Sequence, residues 1–243
     1  MNTSKHMKLL WLLQLSDSAL PVGAMNQSFG LENLVAEESL NNDQLETFLN
    51  AYLGEVGWFE GLFCSVSHRL GTDAADAEFQ VQQWLDLNVR FSAFKLARES
   101  RVASATLGRR FLGLVYNVSN VSNPSQSAIL SAALEAARQT EVEIHHSVAF
   151  GLAGAALGID EEATLSAYLH QTLTNLVSAC QRLLPLGQNQ ATRMLWELKP
   201  VLAALVTEIS EREFDLDEAA CFAPLLEVSS MRHPSLPTRL FIS

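Results

Sequence analysis

Two pairs of side chains in this 243-residue chain stand at the spacing that places potential metal ligands on one helix face: Cys64 with His68, and Glu141 with His145. Each pair offers two ligands where a stable structural site takes four, so the expected roles are a buried thiol and a surface or capping histidine, with no resident metal. His145 and His146 are adjacent and would diverge by about 100° on a helix, which excludes simple side-by-side chelation. Nucleophilic chemistry has no better footing. Ser28 lies in Gln27-Ser28-Phe29-Gly30 and not in the strained GxSxG turn, and no cysteine has a neighbouring histidine with an orienting group. The glycine-containing run Gly151 to Gly158 lacks the lysine and hydroxyl of a phosphate cradle, so the chain is not itself a GTPase. No catalytic residue and no cofactor are assigned, and a non-catalytic protein is expected.

Arg90, Lys95, Arg98, Arg101, Arg109 and Arg110 form a basic cluster with Glu99 as the one acid among them. On a continuous helix, Lys95 and Glu99 would form an i,i+4 pair, and Arg90, Arg98 and Arg101 would share a side with Phe94. Two readings remain open: bases lying over core aromatics or paired with Glu99, and an interface or internal ion-pair role.

The elements that must position these groups read as helices. The chain is 48% hydrophobic, enough for a sizeable core, and only 8% aromatic, with abundant Ala and Leu. A formal charge of −11 argues against a nucleic-acid binder and disfavours an anionic membrane surface. Cys64, Cys180 and Cys221 are an odd, widely spaced set without CxxC, which fits a reducing cytoplasm. Lys5 and Lys8 before Leu9 to Leu13 imitate a signal peptide, but Gln14 and Asp17 cut the apolar run short. The charge-free stretch Phe111 to Leu134 carries Asn, Ser and Pro124 and does not read as a membrane span.

Leu45, Phe48, Leu49, Tyr52, Leu53 and Val56 recur as one buried helix face, with Asp43 and Glu46 as the expected capping box. Asp73 to Asp76 mark another start, leading through Trp84, Leu87, Phe91 and Phe94. Asn117 to Ser127 reads as a loop. His145 to Leu157 is a small-residue helix whose Gly151, Gly154 and Gly158 imply close contact with a neighbour. Asp160, Glu161 and Glu162 start the next helix, Pro185-Leu186-Gly187 stops it, and Gln190 to Glu213 is helical with a break at Pro200. From Cys221 onward Pro224, Pro234 and Pro237 exclude a continuous helix. The expected architecture is all-α: a single-domain helical bundle over residues 1–227 with an extended C-terminal tail, 228–243. That tail holds two arginines and no carboxylate side chain. Leu236, Leu240 and Phe241 suit it to docking into a groove.

The N-terminal stretch is the most specific. A helix running in from Trp11 should end near Ala19, because Pro21 fixes its own φ and extends Leu20. Gly23 and Gly30 bracket a connector, Ser28 is suited to capping, and Glu32 meets the positive end of the following helix.

Leu20-Pro21-Val22-Gly23 followed by Ser28-Phe29-Gly30-Leu31-Glu32 resembles the opening of the urease accessory protein family UreF. Similar segments follow in order: Glu99-Ser100-Arg101 with Gly108-Arg109-Arg110, His146 to Gly151, Pro185-Leu186-Gly187-Gln188, and Ser230-Met231-Arg232-His233 with Arg239-Leu240-Phe241. Met25-Asn26-Gln27 and Pro234 to Thr238 depart from the family pattern. The resemblance implies a cytoplasmic, homodimeric helical assembly factor. It would bind UreD (also called UreH), recruit the GTPase UreG and modulate it, and help load nickel into urease apoprotein. By position match, the partner-binding residues are Pro21, Gly23, Ser28, Gly30 and Glu32, with Arg232, His233, Arg239, Leu240 and Phe241 in the tail. Arg101 is the candidate for acting toward the GTPase. The competing expectations are a helical nickel-binding metallochaperone, with a transient nickel site shared between chains, and a generic helical adaptor.

Overall fold

A computed structural model describes residues 2–73, 80–120, 124–212 and 219–243. Among the described residues every regular element is helical, so the all-α expectation holds, in one compact domain. The bundle is organised around α8 (His146–Ala156), in which every residue but one is buried. A helix apolar on all sides has to be enclosed. α4 (Trp58–Asp73), α6 (Arg98–Asn120), α7 (Pro124–Thr140) and α9 (Glu161–Leu183) enclose it. The expected close approach is met at Gly151: a Cβ there would overlap the Cys64 carbonyl of α4. At Gly154 it would run into the Thr164 side chain of α9. Gly158 lies beyond the helix end, not within it.

α9 begins where the acidic run places it, with the Asp160 side chain accepting from the Ala163 amide at 2.8 Å. It ends at Leu183, just before Pro185. α10 (Gln188–Glu197) and α11 (Lys199–Ser210) are separated at Leu198, and Pro200 sits in the first turn of α11. Proline has no amide to lose at that position, so it opens a helix there instead of bending one.

Several local expectations are corrected. α1 (Asn2–Leu15) stops four residues short of Ala19. The Ser16 hydroxyl donates to the Leu12 carbonyl at 2.8 Å and Asp17 accepts from the Ala19 amide at 2.8 Å, so a polar turn ends the helix before Pro21 acts. The capping box lies two residues earlier than Asp43 and Glu46: Asn41 and Gln44 cap a 3-10 turn, Asn42–Gln44, that leads into α3 (Leu45–Tyr52). A π-turn, Leu53–Gly57, joins α3 to α4. α6 runs to Asn120 and α7 starts at Pro124, so most of the expected loop from Asn117 to Ser127 is helical. Residues 121–123 of it lie outside the described residues. Of the helix start expected at Asp73 to Asp76, Asp73 is the last residue of α4, and residues 74–76 lie outside the described residues.

α5 (Val81–Phe94) ends at Phe94 and α6 begins at Arg98, so Arg90 and Phe94 lie on a different helix from Arg98 and Arg101, and Lys95 cannot form an i,i+4 pair with Glu99. The C-terminal region is also not a bare tail. Pro224 opens α12 (Pro224–Arg232), a 3-10 turn covers His233–Ser235, and α12 packs on α6 and α2 (Leu31–Ala36).

A candidate partner-docking site

The N-terminal bend and the C-terminal residues, some 200 positions apart, meet in one buried assembly. The Val22 amide donates to the Leu20 carbonyl at 2.7 Å, closing a tight turn about Pro21. Gly23 then takes φ +89° and Gly30 takes φ +88°, in the left-handed region that favours glycine. Gly30 also lies directly under α12: a Cβ there would come within 2.9 Å of both the Leu226 carbonyl and Ser230 Oγ. The backbone of α2 therefore starts at this point with glycine as its N-cap, and Ser28 is released from the capping role expected of it. Both the amide and the hydroxyl of Ser28 donate instead to the Ser243 carbonyl, each at 2.6 Å.

Glu32, in the first turn of α2, gathers the chain end. Its Oε1 accepts from the Leu240 amide at 2.6 Å and its Oε2 from the Phe241 amide at 3.1 Å. The same Oε2 lies 2.9 Å from His233 Nε2, and His233 Nδ1 lies 2.7 Å from Glu99 Oε2 on α6. The ring is therefore held at both nitrogens between carboxylates from two different helices. His233 is fully buried. Burial alone would raise the Glu32 carboxyl, but the Leu240 amide, His233 and the Phe241 amide together hold it below the usual carboxylate range. Arg239 approaches the other Glu99 oxygen at 3.7 Å.

Phe241 is buried beneath the guanidinium of Arg182, 4.1 Å from its ring, and Arg182 also donates to the Met25 carbonyl at 2.9 Å. The departures in Met25-Asn26-Gln27 thus contribute mainly backbone: the Asn26 carbonyl accepts from the Ile242 amide at 2.9 Å. Gln27 is the exception, accepting from the Ser243 hydroxyl at 2.6 Å. Arg232 reaches Glu37 at 3.3 Å in an exposed pair.

Of the residues marked in the sequence, Ser28, Gly30, Glu32, His233, Arg239, Leu240 and Phe241 converge on this clasp. Pro21 and Gly23 shape its approach. Arg101 stands apart: it donates to the Lys95 carbonyl at 3.1 Å and lies 3.7 Å from Glu143.

A second polar centre lies around Glu60. Glu60 Oε1 binds Lys95 Nζ at 2.7 Å, Glu60 Oε2 accepts from the Tyr168 hydroxyl at 2.6 Å, and both ends of the ion pair are largely buried. Burial would raise the Glu60 carboxyl, but Lys95 and Tyr168 hold it lowered. Desolvation would likewise lower Lys95, and Glu60 keeps it raised. The available signal was a carboxylate inside the apolar run Trp58-Phe59-Glu60-Gly61-Leu62-Phe63.

The two metal-spaced pairs do not make a centre. Cys64 is buried and its thiol pushed well up by desolvation, and both nitrogens of His68 are engaged, at 2.8 Å by the Ile159 carbonyl and at 3.3 Å by Thr72. Glu141 lies outside any helix, with φ +58°, while His145 caps α8, so they share no helix face. Among the described residues no group of three or more His, Cys, Asp or Glu side chains could hold a metal ion, and no helix is long and apolar enough to cross a membrane.

The family model for UreF matches residues 40–199. A urease accessory protein UreF from Picosynechococcus sp. is 35% identical over 241 residues, covering 98% of this chain and 100% of the relative. The UreF of Paenarthrobacter aurescens is 34% identical over 239 residues, covering 96% and 97%. That of Geobacillus kaustophilus is 30% identical over 243 residues, covering 97% and 98%. Similarity of this extent places the chain in the UreF family of urease accessory proteins.

Proposed function

We propose that this protein is a non-catalytic assembly factor of urease maturation. In this reading it works as a homodimer in the cytoplasm, binds UreD (UreH) and the GTPase UreG, and modulates that GTPase while nickel is inserted into urease apoprotein. The observation that carries the reading is the inverted polarity of α12. Its inner face is polar, with Ser229, Ser230 and the adjoining His233 buried. Its outer face is apolar: Leu225, Val228 and Met231, preceded by Phe222, are 56%, 44%, 51% and 78% exposed. These residues recur every three positions and continue one another along the helix.

A helix that shows its apolar stripe to solvent is suited to lie against a partner's apolar groove, the mode by which amphipathic helices are recognised. Leu240 and Ile242, 58% and 67% exposed, extend the same apolar character along the tail. The clasp supports this role by holding α12 and the tail in register on α2. Arg101 belongs to the proposal as the arginine directed toward the GTPase.

The experiment is co-purification from host cells. The native chain is expected to bring down UreD, UreG and urease apoprotein, and Leu225→Asp with Val228→Asp is expected to lose them while the thermal unfolding midpoint stays within a few degrees. Retention of all three partners by the charged double variant would refute the docking role of α12. Stoichiometric nickel binding by the isolated monomer at micromolar affinity would favour the metallochaperone reading instead.

A further inference from the structure

The two faces of α1 are apolar, but only one of them is covered. Leu15 is buried, and Trp11 and Leu12 are partly buried against the core, on the side that meets α9. Gln171 of α9 holds this end of the helix by donating to the Leu15 carbonyl at 3.2 Å and the Asp17 carbonyl at 3.5 Å. On the opposite side Leu9, Leu10 and Leu13 are 54%, 57% and 58% exposed. Three leucines on the solvent face of one helix form an apolar stripe that gains free energy when another surface covers it.

The order of charges along the stripe identifies that surface. Lys5, Leu9, Leu13 and Asp17 recur at four-residue spacing, so they form one row along α1 and into the turn that follows it. Lys5 and Asp17 are both exposed. The row is self-complementary: Leu9 and Leu13 stand equally far on either side of Trp11, and so do Lys5 and Asp17. A two-fold axis at the level of Trp11 therefore sets Leu9 of one copy against Leu13 of its partner and brings Lys5 toward Asp17 at both ends of the contact. That reciprocity is what an isologous interface requires. α1 also carries Lys5 and Lys8 and no carboxylate, in a chain of net charge −11, so two copies that meet through it do not bring their acidic surfaces together.

We infer that the outer face of α1 is a homodimer contact, in which two antiparallel copies of the helix bury Leu9, Leu10 and Leu13 and pair Lys5 with Asp17 at each end. The inference rests on the homodimer reading given above and supplies the surface for it. It leaves the exposed stripe of α12 to other partners.

The test is sedimentation equilibrium of the full chain, native and substituted, over a wide range of concentration, with helical circular dichroism recorded on each. The native chain is expected to dimerise. Leu9→Arg with Leu13→Arg should raise the dimer dissociation constant by about a hundredfold or more, with the helical signal unchanged. Lys5→Asp alone and Asp17→Lys alone should each weaken the dimer by about tenfold, and the two together should restore most of the loss, because the exchanged charges again face each other. A dimer undiminished by the leucine substitutions would overturn this surface while leaving the homodimer reading in place. Failure of the double exchange to restore affinity would overturn the antiparallel pairing. A native chain that stays monomeric throughout would overturn both the surface and the homodimer reading, and its co-sedimentation with phosphatidylglycerol vesicles would assign the stripe to a lipid surface instead.

Discussion

The seam between α4 and α8 and the clasp between the bend and the tail are both buried, but opposite chemistry holds them. At the seam, Gly151 lies against the Cys64 carbonyl among fully buried Leu152, Phe63 and Val148, and contact depends on shape. At the clasp, one carboxylate, Glu32, gathers two amides and an imidazole that arrive from the far end of the chain. Packed surfaces fail when volume changes, whereas polar clasps fail when a charge is removed. The difference assigns the seam to stability and the clasp to an element that can be released with the rest of the fold in place.

Gly151→Val should produce the largest effect, because a side chain there displaces the backbone of α4. A loss above about 4 kcal/mol is expected, read as insoluble protein or as collapse of the unfolding midpoint. Glu32→Ala should come next, leaving His233 and two amides buried without their acceptor, at about 3–5 kcal/mol locally. Its signature is rapid hydrogen exchange at the Leu240 and Phe241 amides while the amides of α8 stay protected. Equal loss of protection in α8 would show that clasp and seam are one unit.

Acidification should separate the two regions by pH. Burial, joined by the charges of Lys95 and Arg101, pushes His145 down to about 3, and burial pushes His146 down to about 4. Protons therefore bind more readily to the unfolded chain, and the stability these rings confer is complete above pH 6.5 and lost on descending toward those values. The slope is roughly 1.4 kcal/mol per pH unit for each ring. Glu32 is lowered from 4.5, so its contribution is complete above that pH and lost as pH falls through its folded value. Global stability should weaken from pH 6.5 downward, and tail release should begin only below about pH 4.5, as followed by hydrogen exchange. The smallest effect belongs to Arg232→Ala. Its pair with Glu37 is exposed, so a change of about 0–1 kcal/mol in unfolding free energy is expected.

The seam was largely legible in the sequence, because glycines in an otherwise apolar helical run report directly on close packing. The bend was legible as geometry, through Pro21, Gly23 and Gly30. Hidden from the sequence was the pairing across the chain: Ser28 reads locally as a cap, and only its distant partner, the Ser243 carbonyl, shows its use. The partner of Lys95 is hidden for a similar reason. A helical period run through residues 95–97, where the helix breaks, predicted Glu99, while the side chain turns inward to Glu60. α12 is hidden by its prolines, which locally signal interruption, although Pro224 stands where proline initiates a helix.

The central claim is that the C-terminal segment, held by the clasp, is the surface through which partners bind. Its most direct measurement is binding of purified UreD by the full chain and by a chain lacking Met231 to Ser243, with helical circular dichroism recorded on both. The truncated chain is expected to keep nearly all of its helical signal and to lose UreD. Undiminished UreD binding by the truncated chain, or loss of its helicity, would contradict it.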